Sequence, residues 1–128
     1  YIFNLTGGKE FYWDKNKKSK TLGLNAHVNY RGGFRETPIN IEASAAAGET
    51  IYFEEEAFSL QQPAYFKIDL RIYYKINKPG YTSTVALDIQ NLTNAENAAW
   101  SYYDVQKGAL VVKNQLGLIP ILSYRATF

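Results

Sequence analysis

The feature that most constrains this chain is a strict alternation of apolar and polar residues over residues 64–77. Phe66, Ile68, Leu70, Ile72, Tyr74 and Ile76 alternate there with Tyr65, Lys67, Asp69, Arg71, Tyr73, Lys75 and Asn77. A repeat of two residues predicts a β-strand with one apolar and one polar face. The stretch is far longer than the usual strand of about five or six residues. About nine to eleven residues suffice for a tilted strand to cross a bilayer, so the length admits a membrane-spanning strand.

The last eleven residues, LIPILSYRATF, show the same alternation. One face is predicted to carry Leu118, Pro120, Leu122, Tyr124, Ala126 and Phe128, and the other Ile119, Ile121, Ser123, Arg125 and Thr127. A chain that ends this way resembles the closing strand of bacterial outer-membrane β-barrels, although these residues alone fit the last strand of a soluble sandwich equally well. Because proline has no backbone N–H, we also expect a bulge or a gap in strand pairing at Pro120.

Three further strands and two long loops complete the predicted organisation. The five strands cover about residues 1–13, 21–33, 64–77, 81–93 and 115–128, and the long loops cover 34–63 and 95–114. Residues 14–20, with the sequence DKNKKSK, are expected to form a charged, solvated turn rather than a binding patch, and Asn77–Gly80 a tight turn.

Lys9 breaks the alternation of residues 1–13. A bulge at Gly7–Gly8 would correct this but would place Glu10 on the apolar face, and both registers stay open.

The connections alternate between short and long along the chain. Since neighbouring strands run antiparallel, both short turns are predicted at one end of the sheet and both long loops at the other. This asymmetry is typical of outer-membrane barrels, which have short periplasmic turns and long extracellular loops. Aromatic belts are expected at both ends: Trp13, Tyr74, Tyr81 and Phe128 on the short-turn side, and Tyr30 and Phe66 on the other.

Composition narrows the possibilities further. No cysteine is present, so neither disulfides nor thiolate metal sites are expected. No apolar run approaches the roughly 18 residues of a transmembrane helix, and a formal charge of +2 does not indicate a nucleic-acid partner. No signal peptide is visible, so for an outer-membrane protein we expect a preceding N-terminal part.

Longer segments resemble one family. YFKIDLRIYYKINKPGYTSTVALDIQNLTNAEN, QLGLIPILSYRATF, NLTGGKEF and the loop beginning YRGGFRETPI resemble the C-terminal barrel segment of TonB-dependent outer-membrane receptors. DIQNLTN and the terminal strand are the most specific pieces. The resemblance implies an all-β fold, namely the last five strands of a 22-stranded transmembrane barrel. It also implies energy-coupled uptake of an unidentified ligand, with outer-membrane lipid, a plug domain, the remaining barrel strands and the TonB complex as partners. The plug and the TonB-contacting segment have no counterpart in these residues.

Charged and polar side chains are predicted to line the lumen of this barrel. They are His27, Arg31, Lys67, Asp69, Arg71, Asp88 and Arg125. In this family such residues are expected to contact the plug or water.

A single histidine without cysteine does not indicate a metal site, and Glu54–Glu56 are expected to be a solvated acidic loop rather than a Ca²⁺ site. No catalytic arrangement, cofactor motif or enzyme activity is predicted.

Two alternatives remain open at this stage. A passive porin or structural outer-membrane barrel would share the closing strand but lack a plug and a TonB-contacting segment. A soluble β-rich ligand-binding domain would instead pack the apolar faces of residues 22–30 and 66–76 into one dry core. Under the membrane interpretation five strands cannot close a barrel, so residues 1–13 and 115–128 are expected to be open edges of the sheet.

Overall fold

The computed structural model describes all 128 residues, which form two compact units. The sheet unit comprises Ile2–Tyr30, Phe66–Ala95 and Gly117–Phe128, and the loop unit comprises Tyr1, Arg31–Tyr65 and Glu96–Leu116. The strands are β1 (Ile2–Lys15), β2 (Lys18–Arg31), β3 (Arg35–Glu36), β4 (Leu60–Gln61), β5 (Tyr65–Lys78), β6 (Tyr81–Gln90), β7 (Ala98–Asp104), β8 (Ala109–Asn114) and β9 (Ile119–Thr127). One short helix, α1 (Ile41–Ala47), and a 3₁₀ turn at Glu54–Glu56 complete the secondary structure.

The sheet unit is built on five antiparallel strands in the order β1-β2-β5-β6-β9. The predicted all-β fold and its five-stranded antiparallel sheet are therefore confirmed. β5 pairs with β6 from Lys78↔Tyr81 to Leu70↔Ile89, and β6 pairs with β9 from Thr82↔Thr127 to Gln90↔Ile119. β1 and β9 are the edge strands of this sheet.

The strand register gives the sheet one apolar and one polar face. Ile72, Leu87 and Leu122 lie side by side on three neighbouring strands, whereas Arg71 lies opposite Asp88 on the other face. We call these the apolar face and the polar face. Since side chains alternate strictly along a strand, each face follows the parity of the residue numbers.

Contacts of β1 with β2 and β5 show that β1 has no bulge at Gly7–Gly8. Asn29 donates a hydrogen bond to Asn4, and the Tyr73 hydroxyl donates one to Glu10. Asn4 and Glu10 therefore share the polar face, which requires an unbroken register between them. Lys9 consequently stays on the apolar face, where its Nζ lies 5.3 Å from the centre of the Phe11 ring.

The first short turn is tighter than predicted. The charged stretch 14–20 was expected to form the turn, but only Asn16 and Lys17 connect β1 to β2. Both have positive φ, 51° and 60°, which is the combination found in type I′ turns. This turn matches the twist of the flanking strands, so the pairing continues into the lysine-rich segment.

Other strand ends also differ from the prediction. β6 ends at Gln90 rather than near residue 93, because Asn91 adopts a φ of 51° and its side chain bonds both backbone groups of Ala95. β9 begins at Ile119 rather than at residue 115. Leu118 precedes it, and its N–H donates to Asn94 Oδ1 at 2.9 Å.

The predicted bulge at Pro120 is wrong. The register of β9 on β6 is continuous through the pair Ile89↔Pro120, one residue from the end of the ladder. β9 is an edge strand with a partner on one side only. A proline is compatible with a regular register in an edge strand, because only alternate backbone N–H groups face the neighbouring strand.

The loop unit contains secondary structure where long loops were expected. In residues 34–63, β3 pairs with β4. Helix α1 follows Asn40, whose side chain accepts a hydrogen bond from the Ala43 N–H. The helix ends before Gly48, which has a φ of 71°. In residues 95–114, β7 and β8 form an antiparallel hairpin. Neither helical segment is long or apolar enough to cross a membrane.

Few side chains in the chain are buried. Ala86 and Tyr103 are the only buried hydrophobic residues, whereas 27 large hydrophobic side chains are exposed. Ile68, Leu70 and Ile72 are only half-buried. The apolar face of the sheet therefore has no layer packed on it that would make it the core of a closed domain.

Packing on the polar face predicts a sensitive glycine. The Tyr73 ring lies directly over Gly23, so a Cβ at this position would overlap the ring, whereas a Cβ at Gly7 would meet nothing within 4 Å. We expect Gly23→Ala to displace Tyr73 from Glu10 and to lower the free energy of unfolding by about 1–3 kcal/mol. Urea titration of the chain in detergent micelles measures this, with Gly7→Ala as the control. An equal effect of the two substitutions would contradict the packing of Tyr73 on Gly23.

Candidate functional site

Charged and polar side chains from three strands meet on the polar face of the sheet unit. Arg71 of β5 lies directly opposite Asp88 of β6, and Asp69 and Lys67 precede Arg71 on the same face of β5 by two and four residues. His27 of β2 completes the group, since its Nδ1 lies 3.8 Å from Asp69. The alternation of β5 requires this clustering, because residues 67, 69 and 71 must all point to the same side. We call these five residues the charged cluster.

Arg71 and Asp88 form the shortest ion pair of the cluster. Arg71 Nη1 donates to both carboxylate oxygens of Asp88, at 3.0 and 2.9 Å. The two residues are a cross-strand pair, the arrangement in which opposite charges stabilise a sheet. Both side chains are partly exposed, 46% and 28%, so water screens the attraction and the pair contributes less than about 1 kcal/mol.

Asp69 has a different role from Asp88. Its Oδ1 accepts a hydrogen bond of 2.9 Å from the Asn91 backbone N–H, while its Oδ2 lies 3.2 Å from Lys67 Nζ. Asn91 is buried and begins the turn that ends β6. The Asp69 carboxylate therefore fixes the end of β6 as well as balancing a lysine.

The charged cluster borders an open recess of about 310 Å³. His27, Asp69, Arg71 and Asp88 line it, together with the polar residues Thr6, Asn25 and Gln90 and with apolar groups such as Ile121. This volume is at the lower end of the range of small-molecule sites, about 300–1,000 Å³. Charges of both signs beside apolar groups suit contacts with a polar segment of protein or with a small polar ligand.

The remaining predicted lumen residues lie outside the cluster. Arg125 lies opposite Thr84 on the polar face and borders a separate recess of about 330 Å³ with Arg71 and Ser123. Arg31 belongs to the loop unit, where its guanidinium lies between the rings of Phe34 and Tyr65, at 4.4 and 4.1 Å. Arg31 is therefore engaged in cation–π contacts.

Sequence reasoning missed several polar-face residues. Asn4, Glu10 and Asn29 form the hydrogen bonds described above, and Asn91 anchors Asp69. The even-numbered polar residues of β1 were a usable signal for Asn4 and Glu10. The role of Asn91 could not be read in this way, because it depends on where β6 ends.

The loop unit has a recess of about 440 Å³, lined by Arg35, Glu36, Tyr52, Glu54 and Phe58 among others. Glu36 accepts hydrogen bonds from Gln62 and Ser101, at 2.7 and 3.0 Å. These bonds join β3, β7 and the segment after β4. Glu36 therefore has a structural role in this unit.

Glu54–Glu56 form an exposed 3₁₀ turn, and the chain contains no group of three or more His, Cys, Asp or Glu side chains placed to hold a metal ion.

The different partners of the two aspartates predict different effects of substitution. We expect Asp69→Ala to lower the free energy of unfolding by about 1.5–3 kcal/mol, because a backbone N–H loses its charged acceptor. Asp88→Ala removes only a screened ion pair and should cost less than about 1 kcal/mol. The two carboxylates are equally exposed, 29% and 28%, which makes Asp88 the matched control. Urea titration of both variants in detergent micelles measures the difference, and a larger loss for Asp88→Ala would contradict these assignments.

Comparisons of this chain with models of protein families, with curated proteins and with solved structures found no match. The resemblance to TonB-dependent receptors therefore stays a prediction. The two faces of the sheet and the side chains at its ends are the observations from which a function can be proposed.

Proposed function

We propose that residues 1–128 form the C-terminal part of the β-barrel wall of a TonB-dependent receptor in the outer membrane of a Gram-negative bacterium. One observation carries the proposal. The long antiparallel strands of the sheet unit leave an apolar face uncovered, while the opposite face holds the charged cluster. Barrel walls have this two-sided character because one face meets lipid hydrocarbon and the other meets the lumen.

The exposure of the apolar face is the first support for a lipid contact. Leu24, Val85 and Leu122 lie on this face and are 42%, 43% and 75% exposed. Soluble domains bury most such side chains, and a contiguous exposed apolar surface indicates a partner or a membrane. Strands β1, β2 and β5, of 14 residues each, exceed the nine to eleven residues that a tilted strand needs to cross a bilayer.

Aromatic pairs border the apolar face at both ends. Trp13 lies 6.3 Å from Tyr74 and Tyr81 stacks 5.8 Å from Phe128, both near the short turns. At the other end of the strands Tyr30 lies 6.4 Å from Phe66. These are the six residues predicted to form the two belts. Aromatic girdles at both interfaces are a property of membrane barrels.

One charged residue on the apolar face needs an explanation under this proposal. Lys9 lies in β1, an edge strand of the sheet. A lysine costs up to about 2–4 kcal/mol at the bilayer midplane of a barrel. Its long side chain can reach toward the interface, or toward a neighbouring strand that covers the edge.

The polar face is proposed to line the lumen. There the charged cluster contacts a plug domain or water, and the receptor uses energy transmitted by the TonB complex to take up a ligand. Charges of both signs on this face permit contacts with a polar protein surface. The ligand itself is not specified by these residues.

The open edges support a larger sheet. β1 and β9 each have a partner on one side only, and unpaired backbone groups are not tolerated in hydrocarbon. We propose that further strands of the same barrel pair with both edges, β9 with the first strand of the barrel and β1 with the strand that precedes it.

A passive porin is the second candidate, because its wall would have the same two faces. A plug domain and a TonB-contacting segment in the complete gene would distinguish the receptor from the porin. A soluble β-rich binding domain is less well supported, since it has to bury one face of its sheet in a dry core. Only Ala86 and Tyr103 are buried hydrophobic residues.

Substitutions at adjacent positions of β5 test the proposed faces. Leu70→Arg places a charge on the lipid side, at a position opposite Ile89, and should cost about 2–4 kcal/mol. We expect this variant of the complete gene product to give little folded, heat-modifiable barrel in the outer membrane. Arg71→Leu, on the lumen side, should give nearly the unsubstituted amount. Equal amounts of folded barrel for both variants would contradict the proposed faces.

A further inference from the structure

Lysines are concentrated at the short-turn end of the sheet unit. Six of the fourteen Lys and Arg residues of the chain lie in or next to the two short turns: Lys15, Lys17, Lys18, Lys20, Lys75 and Lys78. Asp14 is the only carboxylate among the same residues. The loop unit has the opposite balance, with four basic and eight acidic residues. The lysines are therefore a local feature rather than an average property of the surface.

Strand parity places most of these lysines on the apolar face. Lys15 follows Trp13 by two residues in β1, and Lys78 follows Tyr74 by four residues in β5. Lys18 and Lys20 share the parity of Leu22 and Leu24 in β2. Asp14 has the parity of the polar face. The edge of the apolar face thus consists of an aromatic belt followed by positive charge, with no carboxylate between them.

The two turns bring three of these lysines to one recess. Lys17, Lys18 and Lys78 line a space of about 390 Å³ together with Asp14, Asn77 and Pro79. None of the three lysines belongs to an ion pair within the chain. Lys78 Nζ lies 5.3 Å from the centre of the Tyr81 ring, on the belt itself. Three lysines and one aspartate thus line a recess large enough for a phosphate group.

Lys17 occupies a position that local geometry does not favour. It is the second central residue of the type I′ turn and has a φ of 60°. Glycine is preferred there, because an L side chain is strained at positive φ. A residue held in an unfavourable conformation suggests a function for its side chain. Here that side chain adds a third positive charge to the recess.

We propose that this end of the apolar face binds the phosphate headgroups of anionic phospholipids. The inference rests on the proposed function, since it requires the apolar face to lie in a bilayer. Aromatic side chains then mark the boundary of the hydrocarbon, and the lysines beyond them reach the headgroup layer. Basic clusters beside a membrane attract anionic lipids in this way, and ammonium groups bind phosphate oxygens through charge-assisted hydrogen bonds.

The position of Trp13 provides a local probe. Trp13 lies in the belt next to the lysines, and the only other tryptophan is Trp100 in the loop unit. Trp100 is 57% exposed, so Trp100→Phe leaves Trp13 as the single tryptophan without disturbing a core. Quenching of Trp13 fluorescence by brominated phospholipids then reports which lipid occupies this site, in the complete gene product reconstituted in bilayers with any tryptophan outside residues 1–128 also exchanged for phenylalanine.

We expect brominated phosphatidylglycerol to be preferred over brominated phosphatidylcholine by at least about tenfold at low salt. The preference should fall in 0.5 M NaCl, where the Debye length is only about 4 Å. Lys17→Gln/Lys18→Gln/Lys78→Gln should bring the preference close to one. Lys107→Gln/Lys113→Gln, with two lysines of the loop unit exchanged, is the control and should keep it. Lys17→Gly should lower the preference while keeping or raising the folded fraction, because glycine suits the turn.

The other outcomes separate a failure of the headgroup proposal from a failure of the proposed membrane face. Equal quenching by both lipids in the unsubstituted chain would overturn the headgroup proposal while leaving the membrane face intact. Absence of quenching by either lipid would contradict the membrane face itself, and the headgroup proposal with it. Loss of the preference in inorganic phosphate, beyond the effect of NaCl at equal ionic strength, would indicate a site for a free anion and would also overturn the proposal. A triple variant that phosphatidylcholine quenches as strongly as the unsubstituted protein has kept Trp13 in lipid, so its loss of preference cannot be due to loss of the membrane contact.

Discussion

The apolar face of the five-stranded sheet has no layer of protein packed on it, and the rest of the structure has to be understood from this constraint. Apolar surface in water is unfavourable by about 25 cal/mol per Å², and side chains such as Leu122 and Tyr124 are 75% and 65% exposed. A chain with almost no buried hydrophobic residues cannot hold such a sheet together in water by a core of its own. Under the proposed function, lipid hydrocarbon would satisfy the constraint without a second layer. Further strands at the two edges would satisfy the unpaired backbone groups of β1 and β9.

The polar face and the sheet ends are consistent with the same environment. On the polar face Arg71 pairs with Asp88 on the neighbouring strand, and Asp69 fixes the turn at Asn91. At the short-turn end of the apolar face, lysines lie beyond the aromatic pairs. A boundary of hydrocarbon, headgroups and water accounts for this order of side chains, since each type meets the layer that it favours.

The sequence predicted the sheet and its two faces better than it predicted the turns, the pairing at Pro120 and the individual hydrogen bonds. Alternation over residues 64–77 identified both faces, because each residue of a strand must point opposite to its neighbour. The Pro120 bulge was wrong because a proline's effect depends on whether its nitrogen faces a partner strand, which the sequence does not contain. A turn was predicted at residues 14–20, but its reduction to Asn16–Lys17 was not, because lysine rarely has positive φ. Helix α1 could have been found, since Asn40 and Gly48 are suitable caps around an alanine-rich segment. The partner of Asp69 could not be found, because it depends on where β6 ends.

The most direct measurement of the central claim uses the absence of cysteine from the chain. Single cysteines at successive positions from 68 to 75 in β5 can each carry a nitroxide spin label, in the complete gene product reconstituted in bilayers. Collision with oxygen reports exposure to lipid, and collision with a water-soluble nickel complex reports exposure to water. If the apolar face lies in lipid, the even positions are accessible to oxygen and the odd positions to nickel, with a period of two. Even positions accessible to nickel, or inaccessible to both reagents as in a dry protein core, would contradict the claim.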